Sequence, residues 1–402
     1  MSRTRQRPPT PRPPGAHPPI LRRVLVLLAP TVVVLGLALA AMLVHRPTRV
    51  ELVLTVDRFT ATLAPDPSGQ GSTALINHGQ VRSVRIDRPS RVSLASTSLE
   101  VLDGEAWRAL TLTGRPVLEP VPDAQGLAPA VTLHTADGAP PGVIKAVRAP
   151  AGTLMAMDLA TGTKADQVWL TLDLTPNAAT NQAADPARVH LTFPGPVQLD
   201  ADYLRLTEDL AGASPADLRV AGYPDSLSLR ARSNRIVMVK GSAQGLVIQL
   251  EPAGSADALL RDLQIPIATV DFTRQGPGGE HEGSLVAPGT LSYPDAPNKA
   301  PVAVSATDFV SLGPIEKARI KRVSVASDGG RTGLKLTLDA VVALGARIGT
   351  PEQPQDARLT WFDWIWDSPA LRILFSIAGW LFPTSLAGYK LWQTLRTPAE
   401  DS

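Results

Sequence analysis

The residue types that most often carry acid–base or metal chemistry are spread thinly along this chain. No histidine stands four residues from another with a glutamate between them, which is the spacing of a helical zinc protease site. The six histidines are His17, His45, His78, His134, His190 and His281. Cysteine is absent, so the chain can form neither a thiolate metal site nor a disulfide.

One loop does gather several such residues. The segment GPGGEHEG at 276–283 combines glycines, two acids and a histidine, which fits either a weak metal site or a polar loop. It lacks the Lys-Ser/Thr ending of a phosphate-binding loop, and no Gly-x-Ser-x-Gly elbow occurs in the chain. Asp158 is followed by Ala160 and Gly162, where a calcium loop of the EF-hand type needs oxygen ligands. The sequence therefore predicts no catalytic residue, metal or cofactor, and a protein that is not an enzyme.

Trp169 is the strand residue whose orientation points to a contact. It alternates out of phase with the leucines at 170, 172 and 174, so it should face away from the core of its strand. Such a tryptophan indicates either a ligand or partner contact, or packing against a second layer.

The elements that would position these residues begin with an apolar run from Val24 to Val44, long enough to cross a bilayer as a helix. The Pro- and Arg-rich tail at 1–23 has no acid and is expected to be disordered. The six arginines of this tail carry more positive charge than the net charge of +2 of the whole chain, so the remaining residues together are net negative. A negatively charged folded region argues against nucleic acid as a partner. Arg22 and Arg23 abut the run and predict a cytoplasmic N-terminus with the following chain outside.

Small residues within the same run allow two further interpretations. Those at 38–41 would suit cleavage of a signal peptide, although the run is longer than an ordinary signal core, which favours a retained anchor. Gly36 and Ala40 form a small-x-x-x-small pair, which permits close packing of another helix or reflects only an alanine-rich sequence.

The C-terminal segment 358–402 predicts a second membrane element. It carries five tryptophans, which prefer the headgroup boundary of a bilayer: Trp361, Trp364, Trp366, Trp380 and Trp392. Ser368 and Pro369 begin a helix that reaches about Gln393, and no charge occurs between Ile373 and Tyr389. This helix either spans the membrane, which places both termini in the cytoplasm, or lies flat; a core helix is the third alternative.

One stripe of this helix suits packing against a partner. The stripe consists of Arg372, Ser376, Gly379 and Pro383. Small side chains permit close approach, and Pro383 leaves a backbone carbonyl that needs a donor in lipid. We therefore expect an envelope or membrane protein partner, bound through this helix or through the β region.

Between the two membrane segments, apolar and polar residues alternate almost throughout, which predicts short antiparallel strands in a sandwich or jelly roll. Hairpins are expected around Asp103-Gly104, Asn77-His78-Gly79, Ser233-Asn234 and 327–330. Helices are expected at 200–210 and 255–263. A break near residue 200 divides the region into β domains at 45–200 and 201–357.

These features favour a non-enzymatic, membrane-anchored scaffold or subunit of a bacterial-type envelope complex, with most of the chain outside the cytoplasmic membrane. The alternative is a carrier or bridge for a lipid or other apolar ligand. An N-terminal anchor followed by a β jelly roll resembles, in layout alone, the lipopolysaccharide-export bridging proteins. An envelope hydrolase is the third candidate. A filled core would indicate a scaffold, an apolar groove a carrier, and a cleft with converging acids an enzyme.

Overall fold

The computed structural model of the protein describes residues 47–360 with short gaps, and isolated helical positions outside that range. The gaps are at 67–70, 97, 113, 122–126, 162–167, 178–185, 210–215, 218–225, 233–234, 262, 276–280, 329–330, 344 and 351–352. The isolated positions are Gly36, Asp363, Pro369, Ala370, Arg372, Ile373, Ser376, Ile377, Ala387 and Gly388. Contacts divide the chain into a β unit, Pro47–Arg358, and a unit made of the two ends.

The alternation of apolar and polar residues produces strands in which every second side chain is buried. In Thr48–Val56, for example, Val50, Leu52 and Leu54 are buried while the intervening residues reach the surface. All pairings between the described strands are antiparallel. The β unit is therefore all-β and sandwich-like, as the sequence predicts.

The first layer is a long hydrogen-bonded ribbon. With strands numbered in chain order, its spatial order is β7 (Ala106–Thr111), β6 (Ser98–Asp103), β17 (Ser226–Ala231), β14 (Val197–Asp202), β9 (Ala130–Thr135), β4 (Gly79–Asp87), β19 (Leu246–Pro252), β12 (Val168–Thr175), β11 (Leu154–Thr161), β2 (Arg58–Leu63), β20 (Ile265–Asp271), β26 (Ile315–Asp328), β27 (Arg331–Val342), β1 (Thr48–Val56), β23 (Leu285–Ser292) and β24 (Val302–Val304).

The second layer covers one end of this ribbon. Its order is β16 (Ala216–Asp217), β15 (Leu204–Asp209), β8 (Arg115–Pro120), β5 (Pro89–Leu94), β18 (Arg235–Gly241), β13 (Arg188–Phe193), β10 (Gly142–Pro150) and β3 (Ser72–Ile76). The start of β10 also pairs with β4, which joins the two layers. At this junction a Cβ on Gly142 would lie 2.4 Å from a ring carbon of Phe193, so only glycine fits.

Two small groups of strands complete the unit. These are β21 (Thr273–Gln275) paired with β22 (His281–Gly283), and β28 (Ala346–Thr350) between β25 (Phe309–Ser311) and β29 (Gln353–Ala357). A 3₁₀ helix, Ala256–Ala258, is capped by Ser255, whose side chain accepts from the N–H of Asp257. The helix expected at 255–263 is thus present as this single turn.

The space between the two layers is filled by aliphatic side chains. Leu133, Leu199 and Leu229 of the first layer meet Leu94 and Val237 of the second. The cavity that remains among them is about 10 Å³, the size of at most one water molecule. Each such aliphatic side chain contributes roughly 1.5–3 kcal/mol by leaving water, so the core itself holds the layers together.

Several local predictions are wrong. The segment expected as a helix at 200–210 forms the end of β14 and the whole of β15. The expected hairpin around Ser233-Asn234 is absent because β17 belongs to the first layer and β18 to the second. Around Asn77-His78-Gly79 the chain kinks, with a φ of 57° at His78, and the flanking strands both pair with β10.

Two hairpins are confirmed. β6 pairs with β7 and β26 pairs with β27. In the first, the turn residues are Gly104 and Glu105, and only Gly104 has a positive φ, so the turn is not the type I′ expected. The predicted division near residue 200 falls within β14, which pairs with β9 on one side and β17 on the other.

The predicted membrane segments lie almost entirely outside the described residues. Within the described part of the chain, no helix is long and apolar enough to cross a membrane. The two membrane helices therefore remain predictions.

Candidate functional site

A large cavity among the described residues opens on the outer face of the first layer, away from the core. It has a volume of about 1010 Å³, and we call it the polar cavity. Its floor consists of side chains of five neighbouring strands, β9, β4, β19, β12 and β11, and the turn between β9 and β10 forms one rim. The lining residues are Arg82, Ser83, Arg85, Thr132, His134, Thr135, Ala136, Asp137, Gly138, Ala139, Pro141, Ala160, Trp169, Thr171, Gln249, Glu251 and Ala253.

Strand register places the floor residues in two rows. Glu251 of β19 lies opposite Ser83 of β4, which in turn lies opposite His134 of β9. In the next row Arg85 stands between Gln249 and Thr132. Because successive residues of a strand point to opposite faces, residues 83 and 85 both point outward, while Val84 is fully buried.

A chain of hydrogen bonds crosses four neighbouring strands, β4, β9, β14 and β17. His134 Nδ1 lies 3.3 Å from Ser83 Oγ, and His134 Nε2 lies 3.0 Å from Asp200 Oδ2. Ser228 Oγ donates to Asp200 Oδ1 at 2.6 Å, and Gln198 Nε2 donates to the same carboxylate at 3.2 Å. These bonds hold the imidazole and the carboxylate in fixed positions beside the polar cavity.

The environment of Asp200 favours its charged form. Burial raises its pKa, but the hydrogen bonds from Ser228, Gln198 and His134 together outweigh that effect, so the pKa lies below its ordinary value. The charged carboxylate can therefore accept a hydrogen bond from His134 Nε2 and hold the ring in this orientation.

Serine, histidine and aspartate in one hydrogen-bonded chain are also the groups of a nucleophilic triad. A nucleophilic serine needs nearby N–H donors that stabilise an oxyanion. Here β4 is paired on both sides of Ser83, with β9 and with β19, so the backbone amides around Ser83 belong to sheet ladders. Ser83 is itself buried. The arrangement suits hydrogen bonding to a ligand better than acyl transfer.

Trp169 supplies the large apolar surface of the polar cavity. It is half-buried and faces outward from β12, while Leu170, Leu172 and Leu174 are fully buried on the other face. The outward orientation expected from the alternation is confirmed. An aromatic wall among hydrogen-bonding side chains is a common composition of ligand sites.

Asp158 of β11 lies beside this site, opposite Thr171 in the strand register. Burial raises the pKa of Asp158, and the hydrogen bond with Thr171 and the charge of Arg58 only partly oppose the rise. Its carboxylate is thus held at some cost in stability close to the polar cavity.

The residues predicted to pack helices lie outside this site. Gly36 is helical and exposed, and a Cβ built on it would meet no atom within 4 Å. Arg372 and Ser376 are exposed helical positions, and Ser376 Oγ donates to the Arg372 carbonyl at 2.8 Å. Outside the described residues lie Ala40, Gly379, Pro383, Trp361, Trp364, Trp366, Trp380 and Trp392.

Sequence reasoning did not find the floor of the polar cavity. His134, Asp200 and Ser83 are far apart in sequence, and only strand register brings them together. In the sequence, the floor residues are visible only as polar residues at alternate positions of each strand. Any sheet face exposed to solvent shows the same pattern, so it does not identify a site. Among the described residues, no group of three or more histidines, cysteines and acids is placed to hold a metal ion.

Comparison with known proteins gives no match for this chain: none among protein-family models, none among curated proteins and none among solved structures. The resemblance to the lipopolysaccharide-export bridging proteins is therefore one of predicted layout alone, without a matched residue.

Proposed function

We propose that this protein is a non-enzymatic, membrane-anchored subunit or scaffold of an envelope complex, and that its β unit binds a polar partner at the polar cavity. One observation carries the proposal. A cavity of about 1010 Å³ lies on the outer, hydrogen-bonding face of the first layer, whereas the cavity among the facing aliphatic side chains of the two layers is about 10 Å³.

The geometry favours this function over the other two candidates. A carrier for an apolar ligand needs an apolar groove between layers, and the cavity of about 10 Å³ among the facing aliphatic side chains is too small for an acyl chain. A hydrolase needs an accessible nucleophile with oxyanion donors, and Ser83 is buried within paired strands. Binding through Arg85, Glu251, Gln249 and Trp169 requires no such groups.

The anchoring part of the proposal rests on the sequence. The apolar run from Val24 to Val44 ends three residues before the β unit begins at Pro47, so a retained helix would hold that unit close to the bilayer. The proposed location is the outer side of the cytoplasmic membrane.

Site-specific photo-cross-linking tests the binding site. A photoreactive amino acid at Thr171, which lines the polar cavity, should give one discrete protein adduct in intact cells. The matched control is Thr290, an exposed threonine of β23 outside the polar cavity. Equal adducts from both positions would contradict the proposed site. Adducts with lipid alone would favour the carrier.

A further inference from the structure

The polar cavity differs in chemical character between its two ends. Arg82 and Arg85 of β4 line one end, and Trp169 of β12 lines the other. The strand β19 pairs with both β4 and β12, so it lies between the two ends. Adjacent strands are about 4.8 Å apart, so the two ends are about 10 Å apart.

The β4 end presents guanidinium groups. Arg82 is exposed, and among the described residues its side chain forms no hydrogen bond or ion pair. Arg85 donates from Nε to Asp87 Oδ1 at 3.0 Å, which leaves the terminal N–H groups of its guanidinium for another acceptor. Guanidinium groups bind carboxylates through paired hydrogen bonds. This end therefore suits an aspartate or glutamate side chain of a partner.

The β12 end presents an indole ring beside a carboxylate. The residue opposite Trp169 on β11 is Ala160, which is small and exposed, so it covers little of the ring. Asp158 is two residues away on the same strand, which makes it a diagonal neighbour of Trp169. Cations bind over the face of a tryptophan ring, as Arg230 does over Trp107 in this protein, 4.2 Å from the ring centre.

The carboxylate at the β12 end also favours a cation. Burial raises the pKa of Asp158, and the hydrogen bond with Thr171 and the charge of Arg58 only partly oppose that effect. The charged form of Asp158 is therefore stabilised further when another cation approaches. This end suits a lysine or arginine side chain of a partner.

The distance between the two ends fits an extended peptide. A polyproline II helix rises about 3.1 Å per residue and brings residues three positions apart onto one side, about 9 Å from each other. An acid and a cation at that spacing would reach Arg82 and Trp169 together. The backbone of such a helix has no internal hydrogen bonds, and Gln249 in the middle of the floor can both donate and accept.

We propose that the polar cavity binds an extended peptide segment of a partner protein that carries an acidic and a basic residue three positions apart. The acidic side chain binds Arg82 and Arg85, and the basic side chain lies over Trp169. This inference rests on the proposed function, since it specifies the polar partner of the same cavity. The two ends together fix the direction in which the segment crosses the strands.

Short peptides of defined charge test the two ends. The full-length protein with a photoreactive amino acid at Thr171 is purified in detergent and irradiated with Asp-Pro-Pro-Arg, Asp-Pro-Pro-Asp or Arg-Pro-Pro-Arg. Each peptide has a biotinylated N-terminus and an amidated C-terminus, so that only its side chains are charged. The first peptide should give roughly tenfold more biotinylated adduct than either of the others, because each of those places a like charge at one end.

Arg82→Glu reverses the charge at the β4 end, and the exposure of Arg82 makes the change compatible with folding. It should lower the yield of Asp-Pro-Pro-Arg roughly tenfold and raise that of Arg-Pro-Pro-Arg. Lys317→Glu makes the same change at an exposed position of β26 outside the polar cavity, and should alter neither yield. Equal yields from the three peptides in the native protein, or unaltered yields in Arg82→Glu, would overturn the inference.

Mass spectrometry of the Thr171 adduct from intact cells separates this inference from the proposed function. The partner segment attached at Thr171 should contain an acid and a lysine or arginine three positions apart. A protein adduct whose attached segment lacks this pair would overturn the inference alone. Absence of any protein adduct would overturn the proposed binding function as well.

Discussion

Two tryptophans of the β unit occupy different surroundings, and this makes them a matched pair for testing the polar cavity. Trp169 lines the polar cavity, whereas Trp107 lies under the guanidinium of Arg230, 4.2 Å from the ring centre. We expect Trp169→Ala to lower the yield of the Thr171 cross-link roughly tenfold, because large aromatic side chains dominate binding sites. Trp107→Ala should leave that yield unchanged. Equal losses from both variants would point to a general effect on the fold.

The raised pKa of Asp158 predicts how the stability of the folded protein depends on pH. Its folded-state pKa is raised chiefly by burial, so the folded protein holds this proton more readily than the unfolded chain. Stability therefore falls as pH rises from about 4, the ordinary aspartate pKa, through the raised value. Asp158→Asn should raise the melting temperature at pH 7, and the gain should vanish below about pH 4. Asp295→Asn, an exposed turn residue, serves as the control. A gain that persists in acid would contradict the explanation.

Individual residues were predicted well where one strand decides their environment. The outward orientation of Trp169 follows from its own alternation with buried leucines. Asp200 was expected within a helix, yet it is a strand residue that accepts from Ser228 and Gln198. Its partners come from other strands, so no local pattern could reveal its role.

At the scale of elements, an ion network joins the strands β1, β27 and β26. Arg49 binds Asp339 through two hydrogen bonds of 2.9 and 2.6 Å. Lys321 contacts Asp339 at 3.2 Å and Glu51 at 3.3 Å. The pKa of Asp339 is lowered, first by the bond from Arg49 and further by Lys321, against the opposing effect of burial.

Asp339→Asn should therefore reduce the free energy of unfolding by about 1 kcal/mol at neutral pH, measured by urea denaturation. Because the folded pKa is depressed, this contribution is present above about pH 4 and is lost as pH falls through the folded value. Asp87→Asn is the comparison, since Asp87 pairs among the described residues with one cation, Arg85, on its own strand. A loss for Asp339→Asn no larger than that for Asp87→Asn would count against the network.

Two of the predicted hairpins are absent from the structure, and they show that a local sequence pattern does not determine which strands pair with each other. The sequence at 233–234 has the polar residues of a hairpin, yet Leu229 on one side and Val237 on the other are buried on facing layers. Alternation specifies which residues are buried, but it does not specify the layer to which a strand belongs. That choice depends on pairing with strands far away in sequence.

For the whole molecule, the predicted topology is open to a labelling test. Both termini should be cytoplasmic if the segments at 24–44 and 369–393 both span. Single cysteines at Ser2 and Ser402 should then resist a membrane-impermeant thiol reagent in intact cells, while one at Ser327, exposed near the β26–β27 hairpin, should react. Labelling at Ser402 would instead favour a C-terminal helix that lies flat.

The pairing of β1 with β27 has a consequence for folding during synthesis, because the two strands lie at opposite ends of the β unit in the sequence. Arg49 and Asp339, which join these strands, are 290 positions apart. During synthesis β1 emerges early with both hydrogen-bonding edges open, and β27 follows only when most of the chain has been made. Such non-local pairing makes folding slow and leaves strand edges open to aggregation. We therefore expect the biogenesis of this protein to depend on a chaperone that shields its early strands until synthesis is nearly finished.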